Sequence, residues 1–257
     1  MTTNRPRTRA ERRAAERRRS REKAPPPQQQ SFFTVGRLSV AAAVAGIAVV
    51  IILLFANGLG SSGAGPLKSP DFPVNASLEH DRTLGDPNAP ITIEEWADFQ
   101  CPVCDEFYRN IEPPLLANYI ETGKVKLVFH DYAFIGPAST QAAAAARVSQ
   151  AIGPGFWPFH DMLYSNQGAE NGDAFSQSRL ADMAVALGMD RTAFLNALAD
   201  PTYTNQVRAE TAQGTALGVN STPTLVMNGN LYPGLPTWTQ LSTLIDNLAS
   251  PSPSASP

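Results

Sequence analysis

The sequence predicts an α/β domain that carries a helical insertion and is preceded by one membrane-spanning helix. Three observations lead there. An apolar run without charges lies near the N-terminus. The folded part reads as strand, helix, strand, long helical block, two short strands and helix. A Cys101-Pro102-Val103-Cys104 sequence sits where the first strand hands over to the first helix.

The net charge of -3 hides two opposed parts. Residues 1–37 hold eleven Arg or Lys against three Glu, and the remainder holds nine Lys or Arg against twenty acids. From Leu38 to Leu67 no residue is charged, and Leu38 to Ala56 is nearly all Ala, Val, Ile, Leu and Phe. A helix over that stretch would span about 28 Å, close to the thickness of a bilayer's hydrocarbon core. Excess Lys and Arg beside a span stay in the cytoplasm, so everything after Gly58 is expected outside. A cleaved signal peptide is the rival, with Ala56-x-Gly58 or Ser62-x-Ala64 as cleavage sites. The long basic region and the long apolar core argue for an anchor. The Arg run has no aromatic or folded context that would suggest nucleic acid.

Residues 1–36 are expected to be a disordered, basic cytoplasmic segment and 37–58 the anchor. Residues 59–74 read as a flexible linker, 75–249 as the folded domain with its helical insertion at about 138–217, and 250–257 as a disordered Ser/Pro tail. Ile91 to Asp98 alternates, with Ile91, Ile93, Glu95 and Ala97 on one face and Thr92, Glu94, Trp96 and Asp98 on the other. A helix starts at Pro102, where Pro suits the first turn, kinks at Pro113-Pro114 and ends at Gly123. Lys124 to Phe129 is the second strand. The helical block breaks at Gly153-Pro154-Gly155, at 167–173 and near Pro201, and Gly218 lies just past its end. Asn228-Gly229 turns the strand Thr224–Asn228 into Leu231-Tyr232, and Pro236 to Leu248 closes the domain as a helix.

Cys101 and Cys104 are the only two cysteines. Three residues apart at a helix start, their sulfurs come close enough for a disulfide. The helix N-terminus favours a thiolate at Cys101, the species that attacks in disulfide exchange. Cys104, one turn deeper, is expected to be shielded and to act as the resolving thiol. A purely stabilising disulfide closing so small a ring would contribute only about 2 kcal/mol. A metal site would need two further ligands, and His80, His130 and His160 have no ligand spacing to the cysteines or to each other. No metal and no cofactor is expected.

Glu95-Trp-Ala-Asp-Phe-Gln-Cys101-Pro-Val-Cys104, preceded by Gly85-Asp-Pro-Asn-Ala-Pro90, resembles the DsbA-like branch of the thioredoxin superfamily. Phe156-Trp-Pro-Phe-His-Asp-Met-Leu163 resembles that branch's helical insertion, and Gly218-Val-Asn-Ser-Thr-Pro-Thr-Leu-Val-Met-Asn-Gly229 its cis-proline loop. The resemblance runs from about Leu84 to Leu248. It implies a thioredoxin-like fold, Cys101 and Cys104 as the redox pair with Pro102 and Val103 as spacer, and Glu95 as a buried acid. Desolvation would let Glu95 hold a proton near neutrality and exchange it with Cys104. Pro223 matches the cis-proline, which would set the backbone of Thr222 beside Cys101, able to pair with an extended substrate. Relatives that oxidise strongly carry His between the cysteines. Here the spacer is Pro-Val, and Asp98, Asp105 and Glu106 lie close by, which is expected to raise the thiolate's pKa relative to a His-containing motif.

The expected function is thiol–disulfide exchange outside the cytoplasm, most simply oxidation of reduced or misfolded exported proteins. A quinone-linked membrane partner would then reoxidise the pair. A reductase or isomerase on the same fold is the nearest alternative. A binder of unfolded exported proteins that does no chemistry is the alternative from another class.

Overall fold

The computed structural model describes residues 9, 10, 13, 17, 65–70 and 72–249. The expected disordered segment, the anchor at 37–58 and the tail at 250–257 lie almost wholly outside the described residues. Among the described residues, no helix is long and apolar enough to cross a membrane. The chain divides into two compact units, Met1–Gly60 and Ser61–Pro257, and the second holds the sheet and both cysteines.

Six strands form one mixed sheet: β1 (Glu79–His80), β2 (Thr83–Leu84), β3 (Ile91–Ala97), β4 (Val125–Asp131), β5 (Thr224–Met227) and β6 (Asn230–Pro233), in the order β1-β2-β4-β3-β5-β6. Parallel pairing of β3 with β4 requires a crossover, supplied by α1 (Pro102–Asn110), α2 (Glu112–Leu115) and a π-helical turn at Leu116–Ile120. The bend falls at Ile111, so Pro113 and Pro114 occupy the opening turn of α2, where their missing N–H groups are not needed. The remaining pairs are antiparallel. Asn228 and Gly229, at φ 51° and 77°, make the tight turn between β5 and β6.

The insertion between β4 and β5 contains α3 (Pro137–Ile152), α4 (Phe156–Ser165), α5 (Gln177–Ala186), α6 (Arg191–Leu198) and α7 (Pro201–Ala216). The break between α5 and α6 is not among those the sequence predicts. Gly188, at φ +83°, ends one helix, and the Asp190 side chain caps the next by accepting from the Ala193 N–H. The buried run Ala142–Ala146 gives α3 a thin face that packs against its neighbours α4, α6 and α7. α8 (Trp238–Ala249) closes the fold through Leu241 and Ile245.

Both faces of the sheet are covered. Ile91, Ile93 and Ala97 of β3 join the main core, whereas Trp96 packs with Tyr132 and Val219 on the other side. A buried ion cluster ties the insertion to the sheet. Arg147 of α3 bonds Asp131 at 2.6 Å and also Glu210 of α7, which further receives Arg82 at 2.5 Å and His130 at 2.8 Å.

Part of the expected flexible linker is docked. Leu67 and Val74 pack against the core, and Asn166 at the end of α4 exchanges two 2.8 Å hydrogen bonds with the Lys68 main chain. The physical reason is apolar side chains beside a main-chain segment that finds a side-chain amide to pair with.

Candidate active site

β3 ends at Ala97, and Asp98 to Gln100 turn the chain into α1. Cys101 is the N-cap residue of α1 and Pro102 its first residue. The turn is held from the insertion side. Gln167 donates from Nε2 to the carbonyls of Phe99 (2.9 Å) and Cys101 (3.0 Å), and Gln100 Nε2 donates to Ser139 Oγ at 2.7 Å. None of these partners is visible in the sequence, since each reaches the turn from across the fold.

The two sulfurs, in their thiol state, occupy different surroundings. Cys104 is fully buried, and burial first of all pushes its thiol well above the ordinary value, with Cys101 and the charge of Glu95 adding to the shift. Cys101 moves the other way, down to about 6. The Cys104 thiol donating to it is the main cause, outweighing burial, and the Thr222 side chain and the N–H groups of Cys104 and Val103 add to it. Pro102 and Val103 are exposed, so the approach to Cys101 is past the spacer.

Across from the motif, the Thr222–Pro223 bond is cis, and the Cys101 thiol lies 3.5 Å from the Thr222 carbonyl oxygen, to which it donates. The Thr222 hydroxyl is buried and makes no hydrogen bond while Cys101 is a thiol, so it is available to turn toward a thiolate. Beneath the motif, Glu95 is 1 % exposed. Desolvation raises it to about 8, and its Oε2 has no protein partner. All the residues singled out in the sequence, Cys101, Cys104, Glu95, Thr222, Pro223, Pro102 and Val103, meet in this one place.

The nearby carboxylates are engaged with other partners or exposed. Asp98 is turned into the loop it caps, accepting from the N–H groups of Gln100, Phe134 and Ile135 at 2.9 to 3.1 Å. Asp105 is paired with Arg109 at 2.8 Å, and Glu106 is exposed. None of the three is among the main causes of the Cys101 shift, which runs downward from the value of a free thiol.

Behind Glu95 the fold brings together groups the sequence keeps far apart. Glu112 of α2 and His160 and Asp161 of α4 place one ligand-type atom each within 4.8 Å of one another, all buried. Both Asp161 oxygens are already engaged, one with His160 Nδ1 (2.9 Å) and one with the Val74 N–H (3.3 Å). The ring of Tyr164, stacked 5.3 Å from that of Tyr108, carries a buried, unpartnered hydroxyl toward the motif, and the charges of Cys104 and Glu95 act on it.

A family model described as Thioredoxin matches residues 77–247. The chain belongs to the thioredoxin family. With its helical insertion and its asymmetric cysteine pair, it is a DsbA-like thiol–disulfide oxidoreductase. Disulfide bond formation protein D of Bacillus subtilis (strain 168) is 26% identical over 172 residues, covering 66% of this chain and 78% of that protein. A probable disulfide bond formation protein D of Bacillus anthracis is 29% identical over 153 residues, covering 58% and 70%. The crystal structure of oxidised BdbD from Bacillus subtilis superposes with a TM-score of 0.62 at 24% identity, covering 72% of this chain and 98% of that one.

Proposed function

We propose that the chain oxidises exported proteins outside the cytoplasm, held at the membrane by residues 37–58. The observation that carries the direction of the reaction is the asymmetry of the pair. A Cys101 thiolate favoured down to about pH 6 stabilises the reduced form, and stabilising the reduced form makes the disulfide an oxidant. The relatives named for disulfide bond formation support the same reading.

In the forward reaction a client thiolate attacks the Cys101 sulfur of the Cys101–Cys104 disulfide. The bond between the two cysteines breaks, a client–Cys101 disulfide forms, and Cys104 leaves as a thiolate that takes a proton from Glu95. A second client thiolate attacks the client sulfur, closing the client's disulfide and releasing Cys101 as a thiolate. The client's main chain lies in extended form along Thr222, next to the sulfur that reacts. A quinone-linked partner in the membrane then takes the two electrons from the reduced pair. The uncharged stretch Leu38 to Ala56, flanked by the Arg-rich segment, supports the anchor and its orientation.

Equilibration with glutathione tests the direction. The expected potential lies between about -180 and -120 mV, whereas a value near -270 mV with reduced protein in untreated cells makes the chain a reductase. Cys101→Ser is expected to abolish oxidation of a reduced client, and retention of the cellular function by that variant would identify a binder. Protease added to intact cells is expected to remove the globular unit and spare residues 1–34. A soluble protein beginning near Leu59 or Gly65 would reject the anchor.

A further inference from the structure

Glu95 is 1 % exposed, so a proton exchanged with Cys104 needs a route to water. Four carboxyl groups act on one another in series from Cys104, and two of them share one buried cluster. Glu95 on β3 comes first. Glu112, at the start of α2 and 5 % exposed, feels the charges of Glu95 and Asp161. Asp161 shares the 4.8 Å cluster with Glu112 and His160. Glu79, on the edge strand β1, is half-buried and feels the charge of Asp161.

We propose that Glu112 carries protons between Glu95 and the Asp161–Glu79 end of this row, and so acts on Cys104 through Glu95. A neutral carboxyl donates from one oxygen while accepting at the other, so Glu112 can hand a proton on without ever becoming a buried anion. Burial and its acidic neighbours keep it in that neutral form. Glu79, raised to about 7 by burial and by Asp161, exchanges with solvent near neutrality. The engaged oxygens of Asp161 leave this cluster short of an open cation cage. The proposal rests on the oxidoreductase reading and on Glu95 as the acid that serves Cys104.

The step that depends on the row is ring closure in the reduced protein. The Cys101 thiolate attacks oxidised glutathione, giving a Cys101–glutathione disulfide and one glutathione thiolate. Cys104 then loses its proton to Glu95 and attacks the Cys101 sulfur, expelling the second glutathione as thiolate. Below about pH 8 Glu95 is already protonated, so its own proton has to leave first.

The test uses the full chain and Glu112→Gln, with acid-quenched mass measurement of both steps. Mixed-disulfide formation is expected at the wild-type rate, and ring closure at pH 7 is expected to slow by about tenfold or more. The defect is expected to fade above about pH 8, where Glu95 has lost its proton beforehand. The groups facing Glu112 in that titration are Glu95 from β3, His160 and Asp161 from α4, and Tyr108 from α1 with Arg109 beside it. Glu112→Asp is expected to recover most of the rate. Wild-type closure in Glu112→Gln overturns the proposal. So does a defect equal at pH 6 and pH 9, or a Glu112→Asp variant as slow as Glu112→Gln, since either marks a structural role. A wild-type chain that forms no mixed disulfide would instead overturn the oxidoreductase reading.

Discussion

Glu95→Gln separates the proposed proton exchange of Glu95 with Cys104 from what its burial costs the fold. In the unfolded chain the carboxyl loses its proton near 4.5, whereas in the fold desolvation holds the proton to about pH 8. A folded value above the unfolded one means that the contribution to stability is intact below pH 4.5 and is lost as pH rises toward 8. Each pH unit in that window costs about 1.4 kcal/mol, so wild type forfeits about 3 kcal/mol between pH 4.5 and pH 7. Glutamine keeps the shape and has no such titration. Urea unfolding of the reduced proteins at pH 4.5, 6 and 7 is the assay. Whatever fixed difference the buried amide introduces, the variant is expected to gain on wild type by about 3 kcal/mol across that range, while its ring closure slows. A stability difference that stays constant with pH would show that Glu95 is ionised in the fold, and the proton exchange with Cys104 would fall with it.

The reduced protein is expected to alkylate at Cys101 with a midpoint near pH 6 while Cys104 stays unmodified, as mass mapping of the labelled peptides would show. Because the Cys101 value lies below that of a free thiol, its stabilisation of the reduced fold is full above pH 9 and lost as pH falls through about 6. Burial alone would raise Glu210, but hydrogen bonds from His130 and Arg82 and the charges of Arg82 and Arg147 hold it at about 2. Its stabilisation is therefore present above pH 4.5 and lost toward pH 2. Glu210→Gln is expected to cost about 3 kcal/mol at pH 7 and less at pH 3, by thermal unfolding at each pH. A Cβ at Gly214 would sit 2.6 Å from the Trp96 ring, so Gly214→Ala is expected to lower the melting temperature despite its better helix propensity.

What is legible in the sequence is local. The alternation of Ile91 to Ala97 locates β3 and puts Glu95 on the buried face. Pro102 marks the start of α1, and Asn228-Gly229 the last hairpin. β1 and β2, two residues each, are too short to show any period, and they form because Asp81, at φ 55°, turns the chain sharply enough for Thr83 and Leu84 to pair with β4. Gly214 carries no signal of its own within a helical stretch, yet it is the residue that lets α7 lie on Trp96. Glu112 and Asp161 are 49 positions apart and carry no mutual signal, because only the return of α4 over the sheet makes them neighbours. The partners of Asp98 are hidden for the same reason. Adjacent in sequence to the motif, it gives its carboxylate to the main chain of residues 134 and 135.

The helical insertion therefore bears directly on the cysteine pair as well as on the fold. Its residues Gln167 and Ser139 hold the turn that presents Cys101, and its α4 carries Tyr164, on which the charge of Cys104 acts, together with His160 and Asp161, which gather at Glu112. The two thiols differ by position alone. Cys101 sits at a helix start, where N–H groups and the Cys104 thiol converge on it, and Cys104 is fully buried near Glu95, which holds its proton to about pH 8. A pair built this way keeps one sulfur ready to leave as an anion and the other unable to do so without a partner acid. Deleting the acid should therefore slow the reactions of Cys104 and leave the alkylation rate of Cys101 unchanged, a division that single-residue labelling in Glu95→Gln can read directly.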